Sequence, residues 1–257
     1  MLQINRKEEI INILKKERAC KIEDLCNKLE VSLSTIHRDL NELEREGSVK
    51  KVHGGVVINS NNDLEIRNNI RLKKNVDLKT SIAIKALKFV EEGDYIFLDN
   101  STTCYYFAKA LSESNFKDLL IITNSYLIPG LFFKNKEIEI ISTGGLLLKE
   151  YSCFARSYAI DTISKFSINK FFFSVAAISL KGEFGDTFGA ETQEVKSEMF
   201  KRSEKHICLV DSTKFGSVGH INIPFPLNRV NNIITDKNCS KEIREKFIKL
   251  GKELIIA

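Results

Sequence analysis

From Val76 onward, short unbroken runs of Ile, Leu, Phe and Val alternate with amphipathic stretches of helical length. The runs are YIFLD, LLIIT, IEIIST, KFFFSV, HICLVD and NNIIT. The helical patterns fall near 77–91, 102–113, 126–134, 157–166, 190–204 and 240–251, with ELII after the last. A strand that is apolar at every position needs cover on both faces, and helices laid on either side of a parallel or mostly parallel sheet supply it. The pattern therefore predicts an α/β domain over residues 76–257.

Ligands of open parallel sheets bind where strand carboxyl ends feed helix amino termini. Polar clusters stand at those points. Asp99 to Thr103 follow the first run, Thr123-Asn124-Ser125 the second, Thr143-Gly144-Gly145 the third, and Asp211 to Gly216 follow HICLV. Hydroxyl residues and glycines leave backbone N–H groups free, so four such loops on one sheet edge make a candidate oxyanion pocket, with Lys214 as its charge. Singly, each loop is only a helix cap or a turn; their coincidence carries the expectation.

Residues 1–58 have a different character, with three helical patterns up to about residue 46 and then a strand-like pair. In IEDLCNKLEVSLSTIHRDLNELEREG, residues Ile22, Leu25, Cys26 and Leu29 share one face of a short helix. A three-residue break leads to a second helix capped by Ser32, in which Leu33, Ile36, Leu40 and Leu43 make the stripe expected to be buried. At about 100° per residue, Ser34, His37, Arg38 and Asn41 then face outward, with Thr35 and Glu42 on the flank. This order matches a helix-turn-helix whose second helix enters the major groove of DNA. The residue types suit that task, because Arg reaches a guanine edge bidentately, Asn does the same for adenine, and hydroxyls bind phosphates or bases. Gly47 ends the helix, and SVKKVHGGVVI reads as a hairpin bent at Gly54-Gly55, with Lys50, Lys51 and His53 as a basic wing against phosphate. The expected DNA contacts are Ser32, Ser34, Thr35, His37, Arg38, Asn41, Lys50, Lys51, His53 and Gly54. The polar stretch over 59–75 reads as a linker that Leu64, Ile66, Ile70 and Leu72 can anchor.

Composition narrows the classes further. Hydrophobic residues at 43% and charged residues at 28% fit a globular chain, and no apolar run approaches the roughly 18 residues of a membrane span. The start, MLQINRKEEIINILKK, is charged from its first turn and lacks a secretory signal pattern, so the expected location is cytoplasmic, with no membrane partner. The six cysteines form no C-x-x-C pair and the four histidines no H-x-x-x-H pair, so reduced core thiols, no metal and no cofactor are expected. The net charge of +5 decides little, because residues 1–57 hold 11 basic and 10 acidic side chains.

The stretch VSLSTIHRDLNELEREGSVKKVHGG resembles the winged helix-turn-helix of DeoR-type transcriptional repressors, whose signature runs VS-x-x-TIRRDL-x-x-L before a wing ending HGG. LDNSTTC, IITNS, STGG and DSTKFG stand in the order of that family's effector domain. The resemblance implies a winged helix-turn-helix, mainly α, followed by a Rossmann-like α/β domain similar to ribose 5-phosphate isomerase that senses a phosphorylated sugar or related metabolite. Carried over by position, Ser101, Thr102 and Thr103 hold the phosphate. Asp99 caps the turn or takes a sugar hydroxyl, and Thr123, Asn124, Gly144, Gly145 and Lys214 complete the pocket. The chain departs from the family pattern at several positions: His37 stands for an arginine, Ser101 and Arg156 for glycines, Leu148 for a basic residue, and Ala176-Ala177 where a glycine is common. Either Arg156 replaces the missing cation, or the pocket has changed its ligand or lost it.

Two other classes compete. A sugar-phosphate isomerase-like enzyme with an accessory DNA- or protein-binding domain would use Asp99, Glu194 and Lys214, but Glu194 lies on a helical pattern as a solvated charge. No G-x-S-x-G elbow, Walker A loop or G-x-G-x-x-G fingerprint occurs, and no catalytic residue is assigned. A protein-docking module is the third. The expectation is a regulator, not an enzyme. The resemblance implies a repressor of a carbohydrate-catabolism operon that holds a double-stranded DNA operator, and the short reach of one recognition helix makes a homodimer or homotetramer the expected form.

Overall fold

The structure, a computed structural model, describes residues 2–17, 19–46, 48–52, 54–58, 70–186, 189–217 and 221–257. Gly47 as a helix stop, His53 as a wing contact and positions 59–69 of the linker lie outside the described residues. The chain divides into two compact units, Met1–Lys74 and Asn75–Ala257.

The first unit runs α1 (Gln3–Glu17), β1 (Ala19–Lys21), α2 (Ile22–Leu29), α3 (Leu33–Arg45), β2 (Val49–Val52) and β3 (Gly55–Ile58). Ile10 and Leu14 of α1, Leu25 of α2, Ile36, Leu40 and Leu43 of α3 and Val56 of β3 form its core, and Ile70 packs onto it. The stripe on α3 differs from expectation at one end. Leu33, at the first position of α3, is 53% exposed, while Asp39 is fully buried in the stripe. The wing has three strands rather than two, ordered β1-β3-β2 and antiparallel. Val52 pairs with Gly55, so Gly55 belongs to the strand and not to the bend. A Cβ on Gly55 would stand 2.9 Å from the Cys20 carbonyl oxygen, so β1 and β3 approach closely only with glycine there.

The second unit holds α4 (Val76–Ala86), β4 (Tyr95–Leu98), α5 (Thr102–Ser112), β5 (Leu119–Thr123), β6 (Ile138–Ser142), β7 (Leu146–Leu148), β8 (Cys153–Ala155), α6 (Ser157–Ile163) and β9 (Ile168–Phe173). It continues with β10 (Ala177–Ile178), β11 (Phe184–Asp186), α7 (Ala190–Arg202), β12 (Ser203–Leu209), β13 (Ile221–Ile223), β14 (Asn232–Thr235), α8 (Lys241–Lys249) and β15 (Leu254–Ile256). Seven strands make one parallel sheet, ordered β15-β14-β12-β9-β4-β5-β6. Strand periodicity sorts the apolar runs between two cores. Ile96, Leu98, Phe172, Ile207 and Leu209 face one side with Ala83 of α4 and Phe107 of α5, while Phe97, Phe171, Phe173 and Cys208 face the other with Ile163 of α6, Met199 of α7 and Phe247 of α8.

Two expectations are corrected. The stretch near 126–134 is not an α-helix but a short 3-10 turn, Pro129–Phe132; Pro129 has no N–H to donate, and Gly130 next to it favours no helix. A hairpin, β7 with β8, and a small antiparallel sheet, β10-β11-β13, stand outside the expected sheet.

Candidate functional site

The first unit presents α3 with a defined start. Ser32 Oγ accepts from the Thr35 N–H at 3.3 Å, and lies 2.8 Å from Thr35 Oγ1 and 3.0 Å from Ser34 Oγ. The helix is thus capped, and the Ser34 and Thr35 hydroxyls are both bonded to Ser32. Asp39 fixes the inner face: Arg6 of α1 donates Nε–H to its Oδ2 at 2.5 Å and a second N–H to its Oδ1 at 3.2 Å, and Gln3 donates to Oδ1 at 3.1 Å. Lys7 adds an ion pair to Glu42 at 2.5 Å.

The outer face carries Ser34, His37, Arg38 and Asn41, all exposed as expected. Among the described residues, the side chains of His37, Arg38 and Lys50 make no hydrogen bond or ion pair. Lys51 differs. Its Nζ donates to Asn41 Oδ1 and lies 3.5 Å from Glu44, and its N–H donates to Glu44 at 2.9 Å, so it staples the wing to α3. Gly54 sits at the wing tip with φ +73°.

In the second unit, β4 and β9 are neighbours although the chain visits β5 and β6 between them. Their carboxyl ends therefore bound the crevice where the strand order reverses. Asp99 lies there with both oxygens engaged: Oδ1 accepts from the Ser101 N–H at 3.0 Å, and Oδ2 accepts from the Ser174 N–H at 3.1 Å and lies 3.3 Å from Lys196 Nζ. Lys196 also donates to Asp186 at 2.9 Å and to the Ser174 carbonyl at 2.8 Å. Burial alone would push the Lys196 pKa down, but Asp186 and Asp99 override it and hold the ammonium above the usual lysine range.

Beside this cluster, Ser101 caps α5 by accepting from the Cys104 N–H at 3.2 Å. Among the described residues, the Thr102 and Thr103 hydroxyls have no hydrogen-bond partner, although both residues are buried at the helix amino terminus. On β5, Thr123 is closed off, with Oγ1 donating to the Leu98 carbonyl at 2.8 Å and accepting from the Ser125 N–H at 3.0 Å. Asn124 donates to the Phe154 carbonyl at 3.3 Å, and its buried Oδ1 has no partner among the described residues. The Cys104 and Cys208 thiols are pushed far up in pKa by burial, so neither is a nucleophile.

Gly144 takes φ +61° with open space around it, whereas a Cβ on Gly145 would stand 2.8 Å from the Ala155 carbonyl oxygen. Arg156 caps α6 at φ +67°, ψ −168°, a conformation that glycine favours, and its guanidinium lies 3.6 Å from Glu191. Lys214 ends the 3-10 turn Ser212–Lys214 after β12, which is two strands from β4, about 10 Å across the sheet by strand spacing. Asp99, Ser101, Thr102, Thr103, Thr123 and Asn124 are thus together on the ends of two adjacent strands. Gly144 and Gly145 follow β6, one strand further out, and Lys214 stands on the other flank.

Sequence reasoning missed Lys196, Asp186 and Ser174, and in the first unit Arg6 and Asp39. A signal for Lys196 existed: Thr192, Lys196 and Met199 fall at i, i+4 and i+7 on the buried face of α7, where a lysine needs carboxylate partners.

Comparison with known proteins agrees with both halves. The profile described as DeoR-like helix-turn-helix domain matches residues 6–62, and the one described as DeoR C terminal sensor domain matches residues 74–237. Relatives include the L-fucose operon activator of Escherichia coli, 34% identical over 90% of this chain and 94% of that protein. The HTH-type transcriptional repressor GlcR of Bacillus subtilis is 30% identical over 100% of this chain and 97% of that protein. Among solved structures, a D-ribose-5-phosphate isomerase in complex with phospho-erythronic acid is 22% identical over 54% of this chain and 53% of that one, with a TM-score of 0.41. That likeness is too distant to carry an argument.

Proposed function

The chain belongs to the DeoR family of transcriptional regulators, and on that premise we propose that it represses a carbohydrate-catabolism operon by holding a double-stranded DNA operator, with a phosphorylated sugar or related metabolite setting its affinity. The observation that carries the DNA half is the outward row of α3, where Arg38 and His37 stand without partners among the described residues, beside Ser34 and Asn41. Arg38 is the residue suited to a bidentate guanine contact, while Lys50 on the wing suits phosphate. GlcR, named a repressor, supports repression; another relative is named an activator.

The sensor half rests on the amino terminus of α5. Thr102 and Thr103 offer free hydroxyls where a helix start favours anions, and Asn124 adds an unpartnered buried oxygen suited to a sugar hydroxyl. Ser101 closes the cap, Asp99 and Thr123 hold the loops in shape, and Gly145 lets β7 approach α6. Gly144, Arg156 and Lys214 bound the pocket further out. The isomerase alternative is weaker, because both Asp99 oxygens are engaged and Glu194 is exposed on α7. One recognition helix reads only a few base pairs, so the chain acts as a homodimer or homotetramer. It works in the cytoplasm; among the described residues no helix is long and apolar enough to cross a membrane.

Footprinting of the full chain tests the DNA half. Arg38→Ala is expected to lose about 5- to 150-fold in specific affinity, from about 1–3 kcal/mol of base discrimination, with far-UV dichroism unchanged. Lys50→Ala is expected to weaken all sequences alike and to reduce the salt slope by about one. An Arg38→Ala footprint equal to wild type contradicts the assignment.

A further inference from the structure

At the front of the recognition helix stands an apolar side chain that neither the core nor phosphate contact uses. Leu33 is 53% exposed at the first position of α3. Of the polar groups beside it, the Ser34 and Thr35 hydroxyls both bond Ser32 Oγ, while His37 makes no bond among the described residues. Leu33 and His37 line one groove with Val52 of the wing, and charges of both signs share it, among them Glu23 and Lys51. An exposed apolar side chain gains nothing from a charged phosphate, so a base edge rather than the backbone is the partner that suits Leu33. The first residues of a recognition helix are those that reach base edges. The apolar feature of a base pair in the major groove is the thymine C5-methyl.

Resting on the DNA-binding reading above, we propose that Leu33 is a specificity-determining residue that packs on the C5-methyl of a thymine in the operator. It reads by shape and burial where Arg38 reads by hydrogen bonds. Burying one methyl group corresponds to about a fourfold gain in affinity. Because Leu33 lies outside the core, Leu33→Ala leaves the packing of Ile36, Leu40 and Leu43 in place.

The test needs the full chain and an operator selected by it from random-sequence duplexes. Each thymine is replaced in turn by deoxyuridine, which removes only the methyl group, and affinities are measured for wild type and Leu33→Ala. The expected result is one thymine per recognition helix whose replacement weakens wild type about fourfold and leaves Leu33→Ala unchanged. Specific, salt-dependent binding in which no thymine couples to Leu33 overturns this inference and leaves the DNA reading standing. Absence of sequence-specific, salt-dependent binding by wild type overturns both.

Discussion

Lys196→Met is expected to lower the stability of the second unit by about 3–5 kcal/mol, the usual consequence of removing one partner from a buried charge cluster. The lysine side chain is 6% exposed, and its loss removes the cation that pairs with both Asp99 and Asp186, which are 3% and 2% exposed. Asp99 Oδ1 also orients the Ser101 N–H at the start of α5, so the loop after β4 loosens along with the cluster. For a unit of this size about 2–4 °C per kcal/mol applies, giving a fall of about 6–20 °C in its melting temperature. The readout is clean, because all six tyrosines lie between Tyr95 and Tyr158 and the chain has no tryptophan, so intrinsic fluorescence reports the second unit alone. The triple change Lys196→Met with Asp99→Asn and Asp186→Asn removes the uncompensated charges and should recover part of the loss. Since the lysine pKa is raised by folding, its contribution is fully present below about 10.4 and fades only as pH rises beyond that, so it stays constant across neutral pH. A tyrosine-detected transition unchanged in Lys196→Met contradicts this account.

Asp39→Ala is expected to have a comparable effect on the first unit, about 3–5 kcal/mol. It removes the carboxylate that accepts two N–H groups of the Arg6 guanidinium, whose side chain is 7% exposed, and that ties α1 to α3. At roughly 0.05–0.15 kcal/mol per residue, that is a large share of what a unit of this size possesses. Operator binding should therefore fail while the tyrosine transition stays in place, and hydrogen exchange should accelerate across Ile36 to Leu43. Asp39→Asn keeps an oxygen toward Arg6 and should fall between the two. Unchanged protection of those amides in Asp39→Ala would show that the pair does not hold the helix.

The sheet was legible in the sequence because its strands are covered on both faces, and a run such as KFFFSV admits few other environments. The helix-turn-helix was legible from capping and periodicity: Ser32 starts α3, and Ile36, Leu40 and Leu43 are buried where the spacing puts them. What escaped is of two kinds. Strands of two or three residues, such as β10 and β7, are too short for any periodicity to emerge, and Pro129-Gly130 hides inside an apolar pattern that a helix would share. Buried charges escaped because each depends on a partner from a distant element; Asp39 reads as surface until Arg6 of α1 is set against it. The same distance effect changed the pocket. Asp99 and Thr123 looked like ligand groups in isolation, but their oxygens are bonded within the protein, to Ser101, Ser174, Leu98 and Ser125, so the proposed pocket rests on Thr102, Thr103 and Asn124.

The central claim couples two units through one ligand, and operator affinity measured with and without a panel of sugar phosphates tests it. At least one phosphorylated sugar should change the affinity of the full chain by about 5- to 150-fold, the range of ordinary allosteric coupling. The matching unphosphorylated sugar should do nothing, and Thr102→Val with Thr103→Val should abolish the response while leaving ligand-free DNA binding intact. Operator affinities that stay equal for every phosphorylated sugar tried would contradict the account.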